Sequence, residues 1–309
     1  MQAIPHDIPS EAANPGVDNR LGEFARELAK THAVDPSFHQ KSDLLERLQS
    51  WEQSLRNANA IFKGVPSKDL PVSRAAEWML DNFYVVKQTF NQITEGLPYS
   101  FLNQLPKLSG TPLESGRPRP VQEPGLPRIF ALAGEWVEYC QSQIELNQTA
   151  AFVQEYQQVA PLTIGELWAL PIMLRIGILE RLVYATTELT GMDTLPRIKT
   201  GITPTLAGSG TGSTSLSQID SSAAANDSIV ANCFTSLRLL STNDWKDFFE
   251  QTSRVEQILR EDPAGIYAGM DFDTRNSYRS VIEELSRNSA FSEEQVAQAA
   301  ITFAGSTDG

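Results

Sequence analysis

Thr163 and Glu166 stand three residues apart at the head of PLTIGELWALPIMLRIGILERL, from Pro161 to Leu182, and that spacing fixes where a helix must begin. The threonine hydroxyl accepts the Glu166 amide while the carboxylate reaches back to the Thr163 amide, which satisfies two otherwise orphaned donors of a first turn. Leu167, Leu170, Leu174, Ile178 and Leu182 then recur at steps of three and four residues. Glu166, Arg175, Glu180 and Arg181 interrupt the run, so the helix packs on protein and not on lipid. Pro171 has no amide hydrogen and its ring crowds the carbonyl four residues back, which predicts a kink or break early in the helix. Gly191 is the expected stop.

The same period governs the rest of the chain. Leu44, Leu48, Trp51, Leu55, Ala58 and Phe62 form one stripe ending at Gly64, and Trp78, Phe83, Val86, Phe90 and Ile93 form a second ending at Gly96. These two helices are expected to pair. Ile129, Leu132, Trp136 and Cys140 mark another helix, and Phe152, Val153 and Tyr156 a shorter one. Val230 to Leu240, Trp245 to Leu259, Thr274 to Leu285 and Gln295 to Phe303 read as four more, the last with a capping box between Ser292 and Gln295. No stretch alternates as a strand would, and no repeat period emerges. The expected class is all-α, a bundle-like assembly without significant sheet.

Breaks in this pattern divide the chain. Residues 1–40 read as a loosely ordered arm with a short amphipathic patch at Leu21, Phe24 and Leu28, followed by a helical subdomain over 41–108. The Pro- and Gly-rich 109–127 is a long connection, 128–193 a second helical subdomain, and 194–228 a Gly- and Ser-rich linker or insertion. A third helical subdomain covers 229–304, and 305–309 is a tail.

Charge narrows the function classes. Lys+Arg 25 against Asp+Glu 38 gives a formal charge of -13, which repels nucleic acid and anionic lipid alike. No apolar run reaches the roughly 20 residues needed to span a bilayer, and the first ten residues lack a secretory leader pattern, so a soluble chain is expected. Cys140 and Cys233 lie in separate helical patterns without neighbouring ligands, as buried thiols of a reducing compartment would. The sequons at Asn147 and Asn226 then carry no sugar.

Each candidate for chemistry has a plainer account. Gly208 to Gly212 lacks the Gly-Lys-Ser/Thr ending and the preceding strand of a phosphate loop, and reads as linker. Asp271 and Asp273 match the aspartate pair with which sugar-nucleotide transferases hold a divalent ion, yet Asp271 sits where it would cap the following helix. His6, His32 and His39 all fall in the arm and read as exposed bystanders, and none could serve a serine nucleophile. Glu77, Glu135 and Glu166 each stand near a tryptophan, as acids beside a sugar-stacking ring would, but helix-surface glutamates next to core aromatics are the simpler account. Trp51, Trp78, Trp136, Trp168 and Trp245 sit at core spacing. No catalytic, cofactor-binding or metal residue is assigned.

Three blocks carry a resemblance. They are AAEWMLDNFYVVKQTFNQITEGLPYSFLNQLPKL from Ala75 to Leu108, the stretch from Leu126 to Leu182 with PRIFALAGEWVEY and FVQEYQQVAPLTIGELWALPIMLR, and Asn232 to Leu285 beginning NCFTSLRLLSTNDWKDFFEQ. In this order they resemble the amino-terminal region of bacterial cyclic β-1,2-glucan synthases, large inner-membrane glycosyltransferases. The resemblance implies a parent that uses UDP-glucose and a divalent cation to build a periplasmic cyclic glucan. It further implies that this region lies on the cytoplasmic side beside the transferase and membrane-spanning parts. The family's transferase signatures, an aspartate pair closing a strand and Gln-x-x-Arg-Trp, have no counterpart here, and the family pattern has alanine where this chain has Asp273. The expectation is a non-catalytic helical module, inactive alone, from a truncated gene, a cloned fragment or a split synthase, since AGSTDG stops without a clear domain end. The alternative is an independent helical adaptor with no enzymatic activity.

Overall fold

A computed structural model describes residues 15–34, 42–64, 74–109, 124–192 and 216–306. Among them the chain forms twelve α-helices and no β-strand: α1 (Pro15–Thr31), α2 (Leu44–Gly64), α3 (Arg74–Gly96), α4 (Tyr99–Gln104), α5 (Arg128–Tyr139), α6 (Leu146–Gln157), α7 (Ile164–Thr190), α8 (Leu216–Thr242), α9 (Trp245–Thr252), α10 (Arg254–Leu259), α11 (Phe272–Arg287) and α12 (Glu293–Ser306). The all-α class is borne out.

Helix α7 is the axis. Its capping box forms as the spacing predicts, with the Glu166 amide donating to Thr163 Oγ1 at 3.2 Å and the Thr163 amide to Glu166 Oε2 at 2.9 Å. Nineteen of its 27 residues are buried, so it is apolar nearly all round, the mark of a helix enclosed by others. Helices α5, α8, α2 and α3 surround it. That enclosure explains Pro171, through which the helix runs without a break. An interior proline costs roughly 3 kcal/mol, less than side chains such as Leu167, Leu170 and Leu174 return when buried on both sides of it. Gly177 faces α5, where a Cβ would meet Val137 Cγ2 at 3.4 Å and the Gly134 backbone at 3.5 Å. Gly191 ends the helix in the left-handed region at φ 67°, as expected.

Helices α2 and α3 pair as their stripes predict. Asp227 of α8 accepts the Ala75 amide at 2.9 Å, so the first turn of α3 is capped from a distant helix. The two ends of the 109–127 connection are pinned together, with the Leu108 amide on the Leu126 carbonyl at 2.9 Å and the Arg128 amide on Pro106 at 2.8 Å.

Three expectations change. Within the segment read as a loose arm, α1 packs on α6 and buries Ala25, Leu28 and Ala29. Phe24 stacks on Tyr139 with ring centroids 4.5 Å apart. The short patch at Leu21, Phe24 and Leu28 recruits this helix because α6 offers an aromatic face. Helix α8 begins at Leu216, inside the segment assigned to the linker, and Asn226 ties it to Glu188 of α7 at 2.9 Å. The single helix expected from Trp245 to Leu259 is two, because the buried Ser253 takes an extended backbone and its hydroxyl accepts the Glu256 amide at 3.2 Å as the cap of α10.

Candidate interaction face on the carboxy-terminal helices

Glu256 on α10 is fully buried and ties α9, α10 and α11 together through an ion cluster. Its Oε2 accepts Arg279 Nη1 at 2.6 Å and the Tyr267 hydroxyl at 2.7 Å, and its Oε1 accepts Arg260 Nε at 2.8 Å. Arg275 Nε lies 3.5 Å from the same carboxylate, and its terminal nitrogen pairs with Glu250. Burial opposes the negative charge, but the Tyr267 and Arg279 hydrogen bonds outweigh it and hold the carboxyl below its usual range. Arg279 is also sandwiched, its guanidinium 5.0 Å from the Phe249 ring centroid and 4.7 Å from that of Phe272.

The cluster turns α11 inside out. Arg275, Arg279 and Ile282 face inward, while Tyr278, Val281 and Leu285, also three and four residues apart, are 51%, 52% and 53% exposed. An amphipathic surface helix normally does the reverse. Tyr267 meets the Tyr278 ring edge-on at 6.0 Å, with Ile266 beside it 62% exposed. At the other end, Ser286 Oγ donates to the Phe291 carbonyl at 2.8 Å and Phe291 is 62% exposed. The apolar face thus covers about two turns of α11, from Tyr278 to Leu285, and such faces mark interaction sites.

A small cleft of about 160 Å³ lies beside it, between α4, the start of α7 and the facing ends of α11 and α12, and holds Glu283, Arg287 and Glu293. Glu293 accepts the Ile164 amide at 2.7 Å, and Arg287 donates to Glu283 at 2.7 Å. Burial first, then the charges of Glu283 and Glu166, push the Glu293 carboxyl up to about 7 against the pull of the Ile164 amide and Arg287. A polar hollow of about 380 Å³ between α6 and α10 is lined by Gln154, Gln157 and Arg254. Its polar groups bond within the fold, Gln157 Nε2 to the Thr252 carbonyl at 2.8 Å and Arg254 Nη1 to the Gln157 carbonyl at 2.9 Å.

The sequence candidates fall as follows. Asp271 caps α11, its Oδ1 accepting the Thr274 amide at 2.9 Å and its Oδ2 the Thr274 hydroxyl at 2.8 Å, so the capping reading holds. The Asp273 side chain is 90% exposed and reaches Lys246 at 4.0 Å. Among the described residues, no three His, Cys, Asp or Glu side chains gather where they could hold a metal ion. His32 corrects the bystander reading: it is buried, with Nδ1 2.7 Å from the Tyr156 hydroxyl. His6, His39 and Gly208 to Gly212 lie outside the described residues. Glu77 is exposed, but Glu135 and Glu166 are buried and not on the helix surface. Glu166 is clamped by Arg128, whose Nε and Nη2 donate to it at 2.8 and 2.5 Å. The carboxylate that closes the α7 cap therefore also anchors α5.

Of the tryptophans, Trp51 and Trp136 are fully in the core, and the Trp136 indole donates to Thr149 at 3.0 Å. Trp78 stacks on Phe234 at 6.2 Å and Trp168 on Phe249 at 4.5 Å. Cys233 is buried and Cys140 half-buried, both as thiols that burial pushes up, to about 11 and about 12. Sequence reasoning missed the exposed face of α11. The signal was two stripes on one helix, Arg275 with Arg279 and Tyr278 with Val281 and Leu285, where the second should have been the inner one.

No helix among the described residues is long and apolar enough to cross a membrane. No family model matches the chain. Among curated proteins the chain is similar to the cyclic beta-(1,2)-glucan synthase NdvB of Rhizobium meliloti (strain 1021), with 29% identity over an alignment of 282 residues that covers 74% of this chain and 10% of the synthase. The chain therefore spans about a tenth of the length of this relative, which is a synthase of the kind that its three sequence blocks resemble.

Proposed function

We propose that this chain acts as a non-catalytic helical module of a cyclic β-(1,2)-glucan synthase. The similarity to that synthase carries the reading, because it extends across 74% of this chain while matching only a tenth of the relative. In this reading the parent enzyme uses UDP-glucose and works at the inner membrane. The module sits on the cytoplasmic side and packs on the transferase or membrane-proximal parts. The apolar face of α11 supports a packing role, since Tyr278, Val281 and Leu285 are each more than half exposed.

An antibody against this chain, used on fractionated source cells, tests the reading. A very large membrane-associated protein is the expected antigen. A free species near 34.1 kDa would refute the module and favour the independent adaptor, which the same α11 face would suit. The isolated chain should not turn over UDP-glucose with magnesium or manganese. Turnover that disappears in Asp271→Asn would overturn the non-catalytic assignment.

A further inference from the structure

We propose that the outer face of α11 docks an amphipathic helix whose apolar stripe is flanked by lysines or arginines, an inference that rests on the packing role proposed above. The face offers no free backbone edge, so a partner cannot add as a strand and must meet side chains with side chains. Tyr278, Val281 and Leu285 lie along two turns, roughly 10 Å at 1.5 Å per residue, which is the footprint of one helix laid along another.

Charge selects the partner's flanks. The arginines of α11 that could balance its acids are turned inward: the Arg279 side chain is 0% and that of Arg275 11% exposed, and Glu256 and Glu250 hold them. Outside remain Asp273, whose side chain is 90% exposed, and Glu284, with Arg287 already paired to Glu283 at 2.7 Å. Helix α12 carries no basic residue to offset them; of its first-turn acids, Glu293 is turned to the Ile164 amide and Glu294 is paired with Arg254 at 3.0 Å. The apolar stripe is therefore flanked by the exposed acids Glu284 and Asp273, the second 4.0 Å from Lys246, on a chain whose formal charge is -13. A second copy would bring the same acidic rim, and an anionic lipid surface would be repelled likewise. A basic-flanked helix complements both features.

The probes are two synthetic helical peptides of about 18 residues, long enough to hold a helix on a surface, one of leucine and lysine and one of leucine and glutamate in the same amphipathic order. Binding to the 309-residue chain is followed by fluorescence anisotropy. The lysine peptide should saturate with one site and bind at least about tenfold more tightly than the glutamate peptide, with the gap narrowing as salt rises. A chain carrying Tyr278→Ser, Val281→Ser and Leu285→Ser should lose about tenfold or more for the lysine peptide, while its circular dichroism melt stays close to the parent's. Glu284→Lys, with the stripe intact, should weaken the lysine peptide and strengthen the glutamate one.

Equal binding of both peptides would overturn the basic-flank assignment. Equal binding by the parent chain and the triple-serine chain would overturn the face itself, leaving only attraction to an acidic protein. Self-association by sedimentation, or recruitment to phosphatidylglycerol vesicles, lost in the triple-serine chain, would replace the proposed partner with a second copy or with lipid. A peptide failure alongside a very large membrane antigen refutes this inference and spares the module. A free antigen near 34.1 kDa refutes the module whatever the peptides do.

Discussion

Glu293→Gln removes a charge that the fold disfavours and keeps an oxygen for the Ile164 amide. The carboxyl is pushed from its ordinary 4.5 to about 7, chiefly by burial and then by Glu283 and Glu166. The raised value sets the sign. Below pH 4.5 both folded and unfolded chains hold the proton and Glu293 imposes no penalty. Between 4.5 and 7 the unfolded chain releases its proton first, so stability falls as pH rises, and above 7 the full penalty is present. Each pH unit separating the two values is worth about 1.4 kcal/mol, which caps the penalty at about 3 kcal/mol. Residual solvent screening reduces it to about 1–3 kcal/mol. Urea denaturation of parent and variant at about pH 5.5 and about pH 8.5 reads the difference. The variant should be the more stable at the higher pH, and its advantage should grow by about 1–2 kcal/mol between the two conditions. An advantage that does not change with pH, or a variant less stable at pH 8.5, would falsify the account of a buried carboxylate kept near its acid form.

Glu256→Gln leaves Arg279 buried without its countercharge and should cost about 3–5 kcal/mol by denaturant titration. Because the Glu256 carboxyl is held below its usual range, its contribution should fade as pH falls into the acid range. Asp271→Ala should lower the thermal midpoint through the lost cap of α11, and neither parent nor variant should gain thermal stability from added magnesium or manganese. At Gly177, alanine should be nearly neutral in a thermal melt, since its Cβ meets Val137 Cγ2 at 3.4 Å, an ordinary contact. Valine there should cost about 1–3 kcal/mol by prying α5 from α7.

What the sequence disclosed and what it hid divide on physical lines. The α7 cap, the Gly191 stop, the α2–α3 pair and the Asp271 cap are local or periodic, so they are legible wherever side-chain spacing decides structure. The recruitment of α1 was not legible, because Ala25, Leu28 and Phe24 make a helix worth forming only once α6 supplies Phe152 and its neighbours. His32 followed the same logic: its burial depends on Tyr156, far away in sequence. Glu166 shows a limit of reading one role per residue. Its spacing to Thr163 revealed the cap, but nothing in the run indicates that Arg128 reaches the same carboxylate from another helix.

The orientation of α11 is the deepest of these cases, because hydrophobic patterning points the wrong way. By apolar burial alone, Tyr278, Val281 and Leu285 should face the core and the arginines should face water. Glu256 reverses the outcome. Its carboxylate is already committed to the interior by α10, where Val255 and Leu259 are buried on either side of it. An unpaired charge there would cost several kcal/mol. Arg279 relieves that cost, and Phe249 and Phe272 accept its flat cation. Once Arg275, Arg279 and Ile282 point inward, Val281, two positions on from Arg279 and so on the opposite side of the helix, must point outward, and Tyr278 and Leu285, three and four residues from it, share its face. Exposure of the stripe is thus the mechanical consequence of a satisfied ion cluster and not a sign of poor packing. The face is fixed in place before any partner arrives, and a partner helix would not have to pull it out of the core.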